Sequence, residues 1–223
     1  MNENLYWKTF LLPYELAVGG FLIKLESLRK AFILKRVYNP IEIVSGRVKT
    51  VSSILEKADR LGINHNDIAE KIYDIAGIRI TCKYIQDVYQ VYELLKTRKD
   101  IDIFMVKDYI NNPKENGYRS LHIIAKYQVE TVDGQFPINM EFQIRTHAMH
   151  LWASIEHTLQ YKYYRQIPEE IKERLYQASL ITAKLDDEMA NIKEVMNQID
   201  AENTRNEDME LEDFDFFLNN IKW

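Results

Sequence analysis

The sequence predicts an α+β fold: a mixed β-sheet flanked by helices, with helices at the N-terminal end and one long helix near the C-terminal end. Three observations carry this. Apolar residues recur at steps of three and four over several long segments, the period of a helix with one buried face. Shorter segments, 140–145 above all, alternate apolar and polar with period two, as a half-buried strand does. In order along the chain these read helix, helix, strand, helix, two strands, helix, helix, and no internal repeat interrupts them.

Residues 4–36 form the first helix, with Trp7, Leu11, Tyr14, Val18, Phe21, Leu25, Leu28 and Phe32 stepping along one face. Tyr38-Asn39-Pro40 breaks it. A second helix is expected from about Arg47 to Leu61, stopping at Gly62. Its apolar face is Val48, Val51, Leu55 and Ala58, leaving Lys49, Ser53, Lys57 and Arg60 on the other side. Asp74 to Tyr84 reads as a strand with Arg79, Thr81 and Lys83 on one face, and Gln86 to Arg98 as an amphipathic helix. A polar loop over 108–117 leads into a strand, Tyr118–Val129, and Asp133-Gly134 turns the chain into a returning strand, Ile138–Arg145. A helix over 147–163 follows, and Pro168 stands where a first helical residue belongs.

From there Ile171, Leu175, Ala178, Thr182, Leu185, Met189, Ile192, Met196 and Ile199 alternate steps of four and three through four heptads. Such a stripe is either a coiled-coil seam or one long helix packed on a neighbour in the same chain. A small domain cannot cover so long a helix, which favours self-association. The segment 201–223 is acidic with Phe214, Phe216 and Phe217 embedded, and is expected to be a flexible tail.

At 223 residues and 46% apolar content, the chain has room for one catalytic domain plus helical additions. A single cysteine, Cys82, excludes a disulfide framework and any multi-cysteine metal site. No leader and no membrane-length apolar run is read, so a reducing cytoplasm is the expected location. Residues 200–223 carry eight acids against Arg205 and Lys222, a net −6 within a total of −5, which leaves the body near +1. Such a body does not attract nucleic acid over long range, so single-stranded RNA as a partner is not supported by charge.

Candidate chemistry falls in a few places. On Met140–Arg145, alternation sets Glu141, Gln143 and Arg145 on the face opposite Met140, Phe142 and Ile144; this is either a reactive row or the solvent side of an edge strand. Asp74 opens the other informative strand, either as a cap or, paired with Glu141, as an oxygen ligand for Mg²⁺. The seven glycines form neither a dinucleotide fingerprint nor a P-loop, so phosphates would have to be held by side chains. Arg47, Lys49, Lys57, Arg60 and Arg79 can do that, or simply make a solvated basic face. In loop 107–122, Tyr118 offers a ring for stacking, with Lys114 and Arg119 nearby, and His122 faces away from Leu121 and Ile123. His147, His150 and His157 share a helix without metal-site spacing.

Together, G-R-V-K (46–49), D-I-A-G-I-R (74–79), the Y-I-x-x-P-K-E-N-G-Y-R-S-L-H run (109–122), E-F-Q-I-R-T (141–146) and W-A-S-I-E-H-T-L-x-Y-K (152–162) resemble the small alarmone synthetases, stand-alone (p)ppGpp synthetases of the RelA/SpoT superfamily. The L-D-D-E-M stretch (185–189) resembles the RelQ type, and the similarity spans about residues 7–196. The resemblance implies a nucleotidyltransferase-like synthetase core over 46–165, after an N-terminal helical segment (1–45) and before an oligomerising helix (166–200). It implies transfer of the β,γ-pyrophosphate of ATP to the 3′-OH of GDP, GTP or GMP, releasing AMP. It further implies Mg²⁺ on Asp74 and Glu141, with Glu141 drawing off the hydroxyl proton. Arg47, Lys49, Lys57, Arg60 and Arg79 would meet ATP phosphates. Tyr118 would stack on guanine, with Lys114, His122, Gln143, Arg145 and His150 near the acceptor, and the assembly would be a homotetramer.

The chain departs from the pattern in three respects. His150 stands where many RelQ-like sequences have Asn, and Lys107 where a forked guanidinium is usual. Leu22 and Glu26 occupy positions where that type has lysines for a regulatory alarmone, with Lys24 and Arg29 the cations left nearby, so weak or absent activation by pppGpp is expected. No His-Asp pair, the mark of the family's hydrolase domain, occurs in the chain. Two rivals share part of this set: a tRNA 3′-end pyrophosphokinase, which needs a basic RNA path, and an inactive RNA-binding relative, at odds with the presence of both acids.

Overall fold

Five strands form one sheet: β1 (Ile43–Val48), β2 (Ala76–Cys82), β3 (Ile101–Asp108), β4 (Leu121–Thr131) and β5 (Gly134–Thr146), ordered β1-β2-β5-β4-β3. The computed structural model describes residues 3–162 and 167–220, with side chains described over 5–160 and 167–201. β2 and β5 pair in parallel and every other neighbour is antiparallel, so the sheet is mixed, as expected. The helices are α1 (Glu3–Leu34), α2 (Val51–Leu61), the short α3 (Ile68–Lys71), α4 (Ile85–Lys96), α5 (His147–Lys162) and α6 (Glu169–Asn220).

Register decides what each face of the sheet carries, because side chains alternate and aligned partners point the same way. Ile78 aligns with Phe142, and Phe142 with Ile123; Met140 aligns with Ala76 and Ala125. These are all fully buried. Phe21 of α1 lies on this face, its ring 4.9 Å from Phe142 and 5.5 Å from Tyr127. A Cβ added at Gly46 would come within 2.5 Å of Val18 on α1, so the absent side chain is what lets α1 lie close over β1. The facing positions one residue along carry the polar row described below.

α6 lies against the rest of the chain along Leu175, Ser179, Thr182, Asp186 and Lys193. Trp152 on α5 donates to the Leu175 carbonyl at 2.8 Å. Lys193 pairs at 2.7 Å with Asp87 of α4, which is almost wholly buried and also accepts from the Tyr38 hydroxyl. The later residues of the apolar stripe, Leu185, Met189, Ile192, Met196 and Ile199, are all exposed beside this contact side, whereas Leu175 and Thr182 of the same stripe face the chain.

Several sequence expectations need correction. Two strands were not foreseen, β1 and β3. The second helix begins at Val51 rather than Arg47, so Arg47 is on β1 and Lys49 in the turn after it. The cause is tertiary: β1 hydrogen-bonds to β2 along its whole length, and this outweighs the helical spacing of Val48 with Val51. The N-terminal segment is therefore helical only to Leu34 and ends in a strand. β4 starts at Leu121, not Tyr118. Pro168 sits one position before α6 and accepts from Lys172 N–H, the role of a cap. Helix α6 continues through the acidic segment to Asn220, where a flexible tail was expected from residue 201; the last three residues lie outside the described ones.

Candidate active site

The second face of the sheet gathers polar side chains from all five strands into one row. Arg47 on β1 aligns with Gly77 on β2, and Gly77 with Glu141 on β5; Arg79 aligns with Gln143, and Gln143 with His122 on β4; His122 aligns with Lys107 on β3. α2 and α5 stand beside this row and close a cleft of about 740 Å³. Arg47, Lys57, Asp74, Arg79, Lys107, Lys114, Tyr118, His122, Glu141, Gln143, Arg145 and His150 all line it.

At one end Asp74, just ahead of β2, is held between Lys49 at 2.7 Å and Lys57 at 2.8 Å. Burial pushes its carboxyl up, but the two ammonium groups outweigh that and hold it below the ordinary carboxylate range. Its Oδ1 is buried and faces Lys57 without a well-aligned hydrogen bond. Above Arg79 the field is positive. Arg79 is pushed down from its ordinary value by burial and then by Arg47 and Arg145, and its Nε is buried with no hydrogen-bond partner. Three guanidiniums that repel one another around an unpaired N–H make a place for a polyanion.

In the middle, hydrogen bonds run in one direction. Arg145, which can only donate, gives an N–H to the Tyr118 hydroxyl (a 2.5 Å contact). The Tyr118 proton is thereby directed to His122 Nε2, 2.7 Å away. On its other side His122 Nδ1 lies 3.0 Å from Glu141 Oε1, in place to donate to that carboxylate. Gln143 donates to Glu141 Oε2 at 2.7 Å and accepts from Arg145 at 2.9 Å. Burial raises the Glu141 pKa, but the His122 and Gln143 contacts outweigh it against opposition from Asp74, and the net direction is downward. Glu141 is thus ionised at neutral pH.

At the far end Lys114 lies over the rings of both Tyr109 and Tyr118, 4.8 Å from each centroid. Tyr118 itself is raised by burial, with Arg145 opposing. His150 on α5 is pushed below its ordinary value by burial and by Arg145 and Arg79. The wall also includes groups that the sequence reading did not single out: Lys71, Tyr73, Tyr109, Asn116 and Glu156, with Asn116 donating to Glu156 at 3.1 Å across the rim. Tyr109 and Asn116 stood in the 109–122 run but carried no signal separating them from loop residues. Two expected site residues, Arg60 and Lys49, are absent from the described lining of the cleft, and Arg60 is exposed on α2. Lys49 reaches the site only through Asp74.

Two carboxylates offering free lone pairs to one cleft, with Asp74 Oδ1 incompletely bonded, suit a hard oxygen-seeking cation. Among the described residues no three His, Cys, Asp or Glu groups converge. The remaining ligands would therefore come from water and phosphate, the coordination Mg²⁺ prefers.

Residues 46–166 match the family model described as a region found in RelA / SpoT proteins. A GTP pyrophosphokinase of Bacillus subtilis, YjbM, is 44% identical over 89% of this chain and 94% of its own. A second B. subtilis GTP pyrophosphokinase, YwaC, is 41% identical over 84% and 90%. Among solved structures, a GTP pyrophosphokinase family protein from Streptococcus pneumoniae superposes with a TM-score of 0.83 at 43% identity, covering 87% of this chain and 96% of that one. Small alarmone synthetase 1 from B. subtilis, bound to its product pppGpp, superposes at 0.82 with 45% identity over 84% and 96%. The same synthetase bound to AMPCPP gives 0.76 at 41% identity over 86% and 98%. With its central domain matched and its similarity running nearly the full length of these small relatives, this chain belongs to the RelA/SpoT family.

Proposed function

We propose that this protein is a GTP pyrophosphokinase that moves the β,γ-pyrophosphate of ATP to the 3′-oxygen of a guanine nucleotide, giving (p)ppGpp and AMP. The observation that carries it is the single cleft in which Asp74 and Glu141 stand between an array of arginines and the Tyr118–His122 group. The likeness to synthetases bound to pppGpp and to AMPCPP supports both substrates.

The steps follow from the side chains. Arg47, Arg79 and Lys57 bind the ATP phosphates and relieve their own mutual repulsion. Tyr118, with Lys114, receives the guanine base, and His150, Gln143 and Arg145 hold the acceptor ribose and phosphates. Asp74 and Glu141 would hold Mg²⁺, which would supply neutralisation of the phosphate charge. The 3′-hydroxyl proton passes to Glu141. The O3′–Pβ bond forms as the bond from Pβ to the α-phosphate oxygen breaks, and AMP leaves with that oxygen. No protein nucleophile is needed, since transfer of this kind runs on positioning and charge. His122 fixes the orientation of Glu141 while Gln143 holds its second oxygen.

The regulatory expectation also gains support. Lys24 is engaged by Asp100 at 2.7 Å and the Tyr127 hydroxyl at 2.8 Å. Arg29 is engaged by Glu26 and by the carbonyls of Ile41 and Glu42. Neither is free to meet phosphate, and initial rates should change less than about twofold when pppGpp is added. Several-fold stimulation would count against this.

The main test is ATP, GDP and Mg²⁺ with wild type and with Glu141→Gln, products separated by chromatography. Wild type should yield ppGpp and AMP in equal amounts. The variant should lose about 10²–10⁴-fold in kcat while staying folded. A wild type that makes no guanosine product, or a variant of undiminished rate, sinks the proposal.

A further inference from the structure

A buried carboxylate on the C-terminal helix touches the neighbours of two site residues at once. Asp186 of α6 is 4% exposed and lies outside the cleft. It accepts from the Thr146 hydroxyl at 2.9 Å, and Thr146, fully buried, follows Arg145 directly and accepts from Met149 N–H to start α5. It also faces Arg119 Nη1 at 3.9 Å, and Arg119 follows Tyr118 directly. That Nη1 is buried and has no hydrogen-bond partner. One residue before Tyr118, Gly117 has φ +87°, and a Cβ there would fall 2.0 Å from Ser179 Oγ, one turn of α6 before Thr182 and two before Asp186. Helix α6 is therefore the backing of the segment that carries Tyr118. The Tyr118–Arg145 contact is formed by two residues whose next neighbours both meet Asp186.

We propose that Asp186 is a positioning residue for the guanine-nucleotide acceptor: by joining Thr146 to Arg119 it sets the Tyr118 ring and the Arg145 fork in register with each other. This rests on the assignment of Tyr118 and Arg145 to the acceptor side. An ordinary helix anchor would serve any part of the molecule equally, and Lys193–Asp87 already anchors α6 to α4. Asp186 differs in that its partners flank the site on both sides. The Arg119 contact at 3.9 Å is longer than a charge-assisted hydrogen bond, and the orphaned N–H leaves the pair room to tighten when an acceptor settles on Tyr118. Burial raises the Asp186 carboxyl from its ordinary value, with Thr146 and then Arg119 opposing.

The test compares wild type, Asp186→Asn, Arg119→Met and the double variant. It measures equilibrium binding of GDP and of a non-hydrolysable ATP analogue alongside KM for each substrate and thermal unfolding. Asp186→Asn keeps an oxygen for Thr146 and removes the charge facing Arg119. GDP affinity and KM should worsen about tenfold in each single variant, ATP values should stay within about twofold, and the double variant should be no worse than the poorer single. GDP affinity unchanged in both single variants overturns the proposal. So does a parallel loss for GDP and ATP that tracks thermal stability, or strictly additive effects. If Asp186→Asn fails to fold, Arg119→Met decides, since it leaves the Thr146 bond intact. Failure of the pyrophosphokinase reading is separately visible as a wild type that makes no guanosine product, whatever the binding comparison gives.

Discussion

Arg79 shows how a site can be strained electrostatically before its substrate arrives. Its guanidinium is pushed down by burial and by the cations Arg47 and Arg145, and its Nε has no partner. Arg79→Met should leave the free protein as stable as wild type, or more stable by up to about 1 kcal/mol. It should raise the KM for ATP by about 10–100-fold, the worth of one or two charge-assisted contacts. Calorimetry on the free protein and initial rates check both halves; a variant that loses stability and keeps its KM would refute the repulsion argument. Asp74 works in the other direction. Its folded pKa is depressed by Lys49 and Lys57, so its stabilisation is present above the ordinary carboxylate pKa and is lost as pH falls through the folded value. The gap in thermal stability between wild type and Asp74→Asn should therefore be flat from pH 8 to about 5 and shrink below about pH 4. At this scale the sequence was informative: the two acids and most of the cations could be read from residue type and alternation. What hid was Arg60's exclusion, since the helix it shares with Lys57 turns it to solvent.

At the scale of elements, legibility followed locality. The α1, α4 and α5 segments have periodic faces that the sheet covers, and their limits fell within a residue or two of expectation. β1 was concealed because Val48 and Val51 fit a helix and only pairing with β2, some thirty residues on, makes Ile43–Val48 a strand. β3 is half-exposed at the sheet edge, with a register shift between Ile103 and Met105, so its alternation is blurred. The consequence for function is that Arg47 reaches the cleft from a strand rather than a helix. The turn before Tyr118 gives an element-scale prediction. Gly117→Ala imposes a Cβ at positive φ and against Ser179. It should cost about 2–4 kcal/mol on unfolding by denaturant and raise the KM for GDP more than that for ATP. Ser179→Gly in the same chain should recover part of both losses by removing the collision but not the backbone strain.

For the whole molecule, α6 presents a conflict that a single chain does not resolve. Its 52 residues extend to about 78 Å, well beyond the sheet. The side facing the chain is a mixed polar stripe through Ser179, Thr182, Asp186 and Lys193, while Leu185 (48% exposed), Ile192 (46%) and Met196 (51%) face outward. The sequence showed the heptads but not which of the two faces the domain would take; ion pairs to Asp87 and the Thr146 contact made that choice. An exposed apolar seam over four turns is stable in water when another copy covers it. Light scattering on wild type should give a mass at least twice that of the single chain, and Leu185→Glu with Ile192→Glu should lower it. The variant should keep its helix content, because the anchors at Leu175, Asp186 and Lys193 are not substituted. A monomeric wild type, or an assembly indifferent to two buried glutamates in its seam, would mean that the stripe serves something other than a second copy.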